Sequence, residues 1–301
     1  LVRFKMFKKT TSFFTVALLL LSYSLNSQAD SPYYWYVFNI PPYGSLSGEG
    51  IGYVLADAYI EAGFKNRVVL TNAARWQREM MDPDNSKFCS TGSWKLPNTS
   101  HRVYSDSINN TVDYGVAVRP NLYKKLSNNG KTRIVSIADV IEATKTHGQL
   151  LIIKDRPVFG KMADMIEKSK KQPGTQINYL TAAEGPVSML KMADESNRKV
   201  DSVLIFPEEF QVYANDHPKH SLEYMMLSEG SSFAPIRASC PDTPTGRKII
   251  VEVNKLLNEG LREKIFTIFK NVLPDIVEIR DQANVNQQCI KDSTCKDPLV
   301  D

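Results

Sequence analysis

Histidine and cysteine are scarce in this chain of 301 residues, with four of each. The spacing of His101, His147, His217 and His220 holds no HExxH pair, and Cys89, Cys240, Cys289 and Cys295 hold no CxxC pair. Both patterns bring metal ligands onto one face or one turn, so neither common zinc arrangement is written here. No GxSxG elbow and no Walker or dinucleotide glycine pattern occurs. The neighbours Glu208 and Glu209 sit on one segment, whereas a glycosidase needs carboxyls on opposite sides of a bond. The sequence therefore reads as a non-enzyme with no metal and no cofactor. Excess charge of one sign is missing as well. Four of the 37 Lys and Arg lie in residues 1–29, which carry no acid, and this leaves 33 basic residues against 33 Asp and Glu. A balanced chain lacks the basic footprint of a nucleic-acid partner.

Long apolar runs are confined to the start. Arg3, Lys5, Lys8 and Lys9 precede an apolar stretch from Phe13 to Leu21, and Ser27-Gln28-Ala29 supplies small residues after it. This is the layout of a secretory signal peptide cut after Ala29. Its apolar core is roughly ten residues, about half of what a membrane span requires. The expectation is a secreted, periplasmic, monomeric protein. In that compartment an even number of cysteines points to disulfides. Cys289 and Cys295 are close enough for a local clip, which leaves Cys89 with Cys240; a metal site or free thiols are the competing readings.

What is present is alternation. Short β-prone runs (Tyr34–Phe38, Arg67–Leu70, Phe88–Ser90, Tyr114–Val118, Leu150–Ile153, Ile177–Leu180, Ser202–Phe206 and Tyr224–Leu227) are separated by segments of helical period, such as Arg75–Met81, Ile137–Ala143 and Thr245–Leu257. That order predicts an α/β architecture. The pattern halts after Tyr114–Val118 and restarts, so two α/β lobes are expected, joined by two crossing strands near Val116–Pro120 and Met225–Ile236. The expected division is a signal peptide over 1–29, lobe 1 over 30–118, lobe 2 over 119–223, and a return to lobe 1 over 224–301. The last fifteen or so residues read as a loosely packed tail. Ligands of such folds lie where strand ends and helix starts of two lobes face each other.

Pro41-Pro42-Tyr43 ends the first strand and Gly52-Tyr53 enters the first helix. Phe88-Cys89-Ser90-Thr91-Gly92 and Tyr104-Ser105 follow, and Ala238-Ser239-Cys240-Pro241 comes late. In this order they resemble the extracellular solute-binding proteins of family 3, the polar amino-acid type, and within it a branch with a third-strand Cys beside a later Ala-Ser-Cys-Pro. The resemblance implies a type II periplasmic binding protein fold that closes on a small polar ligand. It further implies hand-over to a membrane permease, with a membrane sensor or an envelope enzyme on this scaffold as alternatives.

Members that bind amino acids clamp the carboxylate with an Arg after the third strand. Thr99 stands where that Arg belongs, and Arg102 follows three positions on. Either Arg102 serves or the clamp is lost. Glu208 is the candidate partner of a ligand ammonium. Tyr43, Trp76 and Trp94 are candidate stacking faces, each with a core role as the alternative. Ser90, Thr91 and Gly92 offer hydroxyls and amides at a strand end. Arg156 and Phe159 precede a helix start in lobe 2, a place that suits an anion.

Overall fold

The computed structural model describes residues 33–64, 67–96, 98–110, 112–146, 148–154, 156, 158, 160–180, 185–195, 199–229, 235–292 and 294. The expected leader, Phe159 and Cys295 lie outside the described residues.

Among the described residues eleven strands form two mixed sheets. The first half opens with β1 (Tyr34–Phe38), α1 (Ile51–Glu61), β2 (Arg67–Thr71), α2 (Ala73–Met81) and β3 (Phe88–Ser93). Both β2 and β3 pair with β1 in parallel, as strands linked through crossover helices do. β4 (Arg102–Asn110) and β11 (Pro235–Pro241) complete this sheet, in the order β2-β1-β3-β11-β4. β11 runs antiparallel between β3 and β4. The second sheet has the order β6-β10-β5-β9-β7-β8, built from β5 (Gly115–Val118), β6 (Ile134–Val135), β7 (Gln149–Ile153), β8 (Ile177–Leu180), β9 (Val200–Ile205) and β10 (Glu223–Leu227). Helices α3 (Pro120–Leu126), α4 (Ile137–Ala143), α5 (Gly160–Ser169), α6 (Pro186–Asp194) and α7 (Pro207–Asp216) connect its strands.

The first passage between sheets falls before Gly115, not at Val116–Pro120. All four residues of β5 are buried, and β5 pairs with β9 on one side and β10 on the other. A strand paired on both edges is an interior strand of its sheet. The second sheet is therefore built by residues from 115 to 227, and the expected limits at 118/119 and 223/224 fall at the end of β5 and the start of β10. The return passage lies between Leu227 and Pro235, inside the expected Met225–Ile236.

After β11 the chain forms α8 (Pro244–Leu256), a π-turn over Leu257–Leu261, α9 (Arg262–Asn271) and α10 (Val277–Lys291). Thr243 caps α8 by accepting from the Gly246 amide at 3.0 Å, and Pro244 follows at the first helical position. A Cβ at Gly246 would stand 2.0 Å from the Pro241 carbonyl, so only glycine fits there. The expected tail is helical as far as Lys291, where Ile279, Ala283 and Asn286 bury one face of α10.

One apolar cluster runs through both halves, with Trp35, Val37 and Tyr59 on one side and Leu151, Val203 and Ile205 on the other. A second, including Ile137, Leu150 and Phe206, belongs to the second sheet. The Cys89–Cys240 disulfide ties β3 to β11 across 151 residues of sequence. Cys289 is disulfide-bonded as well. Among the described residues no helix is long and apolar enough to cross a membrane.

Candidate functional site

A cavity of about 320 Å³ opens where the two sheets meet. The first half contributes the ends of β1 and β3 and the start of α1; the second contributes Arg156 and Phe206.

Tyr43 is set by the turn after β1. Its amide donates to the Ile40 carbonyl at 2.8 Å, and its own carbonyl accepts from Gly52 at 2.8 Å. That second bond ties the turn to the first amides of α1. A Cβ at Gly52 would come within 2.7 Å of Val37 and 2.9 Å of the Tyr43 carbonyl oxygen, so a side chain there would push Tyr43 away. So placed, the Tyr43 hydroxyl donates to a carboxylate oxygen of Glu208, in the first turn of α7. This bond joins the two halves.

Glu208 is fully buried. Burial first, and the neighbouring Glu209 charge, push its carboxyl up to about 8, against the lowering effects of Tyr43 and Arg156. Its second oxygen has no partner among the described residues. Burial and the adjoining glutamates likewise raise the Tyr43 phenol.

Glu209 has a different role. Arg156 donates from both terminal nitrogens to its two oxygens, each at 2.7 Å. The side chains are 9% and 1% exposed, so this is a buried fork-to-fork pair. Burial works against the guanidinium charge, and Glu209 overcomes it, leaving Arg156 more firmly protonated than usual. The guanidinium also lies 5.4 Å over the Phe206 ring, which stacks on Tyr114 at 4.0 Å. Trp94 faces Phe206 at 6.2 Å from the opposite half.

On the first half Trp76 stands 5.0 Å from Phe38 and spends its indole N–H on the Ser90 hydroxyl at 3.0 Å. The Thr91 hydroxyl donates to the Tyr36 carbonyl at 3.1 Å. Of the residues singled out in the sequence, Tyr43, Trp76, Thr91, Gly92, Trp94 and Arg156 line this cavity together.

The others do not. Ser90 is buried beneath the wall, linking Trp76 to the Gly92 carbonyl. The Thr99 hydroxyl bonds the Leu96 carbonyl and Tyr104, each at 2.6 Å. Arg102 turns into the first sheet, where it donates to the Phe88 carbonyl at 2.8 Å and covers the Phe88 ring at 4.6 Å. Burial lowers its guanidinium to about 10. β4 begins at Arg102 and hydrogen-bonds to β11, which fixes the residue at the sheet rather than in the crevice. Glu208 does not line the cavity and is bonded to the wall residue Tyr43. Sequence reasoning missed Phe206, Asn109, Ile236 and Phe269, all of which line the cavity. Nothing in a buried strand or an apolar helix face separates such residues from ordinary core. Among the described residues no group of three or more His, Cys, Asp and Glu could hold a metal.

No family model and no curated protein matches the chain. Solved structures do. The GluR0 ligand-binding core in complex with L-glutamate is 14% identical, with a TM-score of 0.56 over 79% of this chain and 97% of that one. An amino acid ABC transporter substrate-binding protein, AbpA from Streptococcus pneumoniae, bound to L-arginine, is 12% identical at a TM-score of 0.55 over 81% and 96%. The BvgS VFT2 domain of Bordetella pertussis is 12% identical at 0.55 over 83% and 97%. At these identities the likeness is one of fold, and the fold is that of the type II periplasmic binding proteins.

Proposed function

We propose that the chain is a solute-binding protein that closes its two halves around one small organic molecule and performs no chemistry on it. The observation that carries this reading is the cavity itself. Its wall is drawn from both halves, and the Tyr43–Glu208 bond spans the seam beside it. A guest held by both halves stabilises the closed arrangement only in proportion to the contacts that closure adds. The size suits a small metabolite, since ligand pockets begin near 300 Å³. Residues 1–29 are proposed to direct export, and the loaded protein to hand its guest to a membrane permease.

The test is a thermal-shift and native mass-spectrometry screen of the protein without residues 1–29, against amino acids, amides, nucleobases, aromatic metabolites and organic acids. A ligand at one hundred times its Kd is expected to add about 2.7 kcal/mol, a rise of roughly 5–10 °C at this size. A screen in which no compound shifts Tm, with no small molecule retained on purification, would overturn the reading.

A further inference from the structure

The polar residues along the cavity are nearly all spent on the protein itself. The Tyr43 hydroxyl hydrogen goes to Glu208, and that of Thr91 to the Tyr36 carbonyl. Ser93 donates to the Arg237 carbonyl at 3.1 Å, or to Ser239 at 3.2 Å. Both terminal nitrogens of Arg156 face Glu209. Gln77 is exposed. Asn109 is the exception. It lines the cavity, is 5% exposed, and its side-chain amide has no hydrogen-bond partner among the described residues. An amide on the cavity wall that is not committed to the protein can give a guest both a donor and an acceptor.

The rest of the wall is apolar: Phe38, Ile51, Trp76, Phe206, Ile236 and Phe269 are representative. Among the described residues Arg156 carries the only charge on it, and Glu209 already pairs with that charge at 2.7 Å. A ligand carboxylate would have to share Arg156 with Glu209, adding a second negative charge to a pair that is already neutral. A ligand ammonium meets no free carboxylate, because Glu208 does not line the cavity and is bonded to Tyr43. Bringing an ion into such a place without a counter-ion is strongly unfavourable. A flat apolar ring loses nothing there and gains the faces of Trp76 and Phe206.

We infer that the cavity selects an uncharged, largely apolar aromatic molecule, whose single polar edge, carrying both a donor and an acceptor, pairs with the Asn109 amide. This rests on the reading of the chain as a binding protein and narrows its guest from a zwitterion to a neutral ring compound.

The test uses matched probes: 2-naphthamide, 2-naphthoate, L-tryptophan, L-glutamate and L-arginine, titrated calorimetrically into the protein without residues 1–29. The expected result is binding of 2-naphthamide, with 2-naphthoate and the amino acids at least about tenfold weaker. Asn109→Leu should weaken 2-naphthamide by roughly 3–10-fold at unchanged Tm. If that variant fails to fold, Asn109→Asp, which places a charge at the same edge, should abolish 2-naphthamide binding. Tighter binding of 2-naphthoate or of any amino acid would overturn the inference and leave the binding-protein reading standing. So would an Asn109 variant with wild-type affinity for 2-naphthamide. Failure of all five probes would overturn the inference alone, and the binding-protein reading would still stand or fall on the wider screen.

Discussion

The hydroxyl of Tyr43 and the carboxylate of Glu208, 165 residues apart in sequence, share a hydrogen bond across the seam between the two halves. The carboxyl is fully buried and pushed up to about 8 from an ordinary 4.5. Between those values the unfolded chain releases a proton that the folded protein keeps. The folded state then binds more protons than the unfolded one, so its stability falls as pH rises. The slope is ~1.4 kcal/mol per pH unit, and it levels off above the folded value. Glu208→Gln should remove this contribution. Urea denaturation of both proteins from pH 5 to pH 8 measures the difference; parallel curves would refute the assignment.

Arg156 and Glu209, both of the second half, form a buried charge pair beside the seam, with two bonds of 2.7 Å. Removing one partner leaves the other charged and dry. Arg156→Met is expected to cost about 3–5 kcal/mol, and the double variant Arg156→Met with Glu209→Leu to recover most of it. Chemical denaturation of the three proteins gives the coupling directly. Equal losses in the single and double variants would show that packing, not charge, sets the cost.

The strands of the α/β pattern were legible because periodicity is local. Tyr34–Phe38 and Ile177–Leu180 occupy the bounds their β-prone runs predict, as does helix Ile137–Ala143. The polar strands were not. Arg102–Asn110 contains Ser105, Asp106, Ser107 and Asn109, and no alternation marks it as β. Pairing with β11 over its whole length is what orders it. Helix Val277–Lys291 escaped notice for a related reason: polar residues dominate it, and only a narrow face bearing Ile279 and Ala283 is buried. In the cavity wall, strand-end residues such as Thr91, Gly92 and Trp94 could be found because strand ends of this fold face the crevice. Counting forward from Cys89 to Thr99 and Arg102 could not choose between a clamp at Arg102 and a lost one. A loop decides where its next residue points, and here it returns Arg102 to the sheet. Asn109 carried no signal, since its lack of partners exists only once the chain is folded.

The Cys89–Cys240 bond joins neighbouring strands that the sequence separates by 151 residues. Cross-linking a loop of that length restricts the unfolded chain by up to about 5 kcal/mol on the chain-entropy account, and native disulfides deliver 2–5. The variant with both residues replaced by Ser should therefore lose about 2–5 kcal/mol in urea denaturation. Its ligand affinity should stay within about twofold, because neither Cys lines the cavity. A variant as stable as the parent would mean that the pairing of β3 with β11 already holds these strands in the unfolded ensemble.

Arg102 supplies the sharpest contrast between a site residue and a scaffold residue. One terminal nitrogen donates to the Phe88 carbonyl at 2.8 Å and to the Ser239 carbonyl at 3.3 Å. The remaining two nitrogens are buried without partners among the described residues. The cation therefore carries a desolvation cost that its bonds only partly offset. Arg102→Met keeps the apolar contact with Phe88 and sheds the charge, so the lost bond and the relieved burial should nearly cancel. We expect a stability change within about 1 kcal/mol of the parent. Affinity for any cavity ligand should be unchanged within about twofold, since the side chain faces the sheet interior rather than the crevice. Calorimetric titration of this variant decides the matter: a tenfold loss of affinity, equal to about 1.4 kcal/mol, would place the guanidinium on the ligand after all.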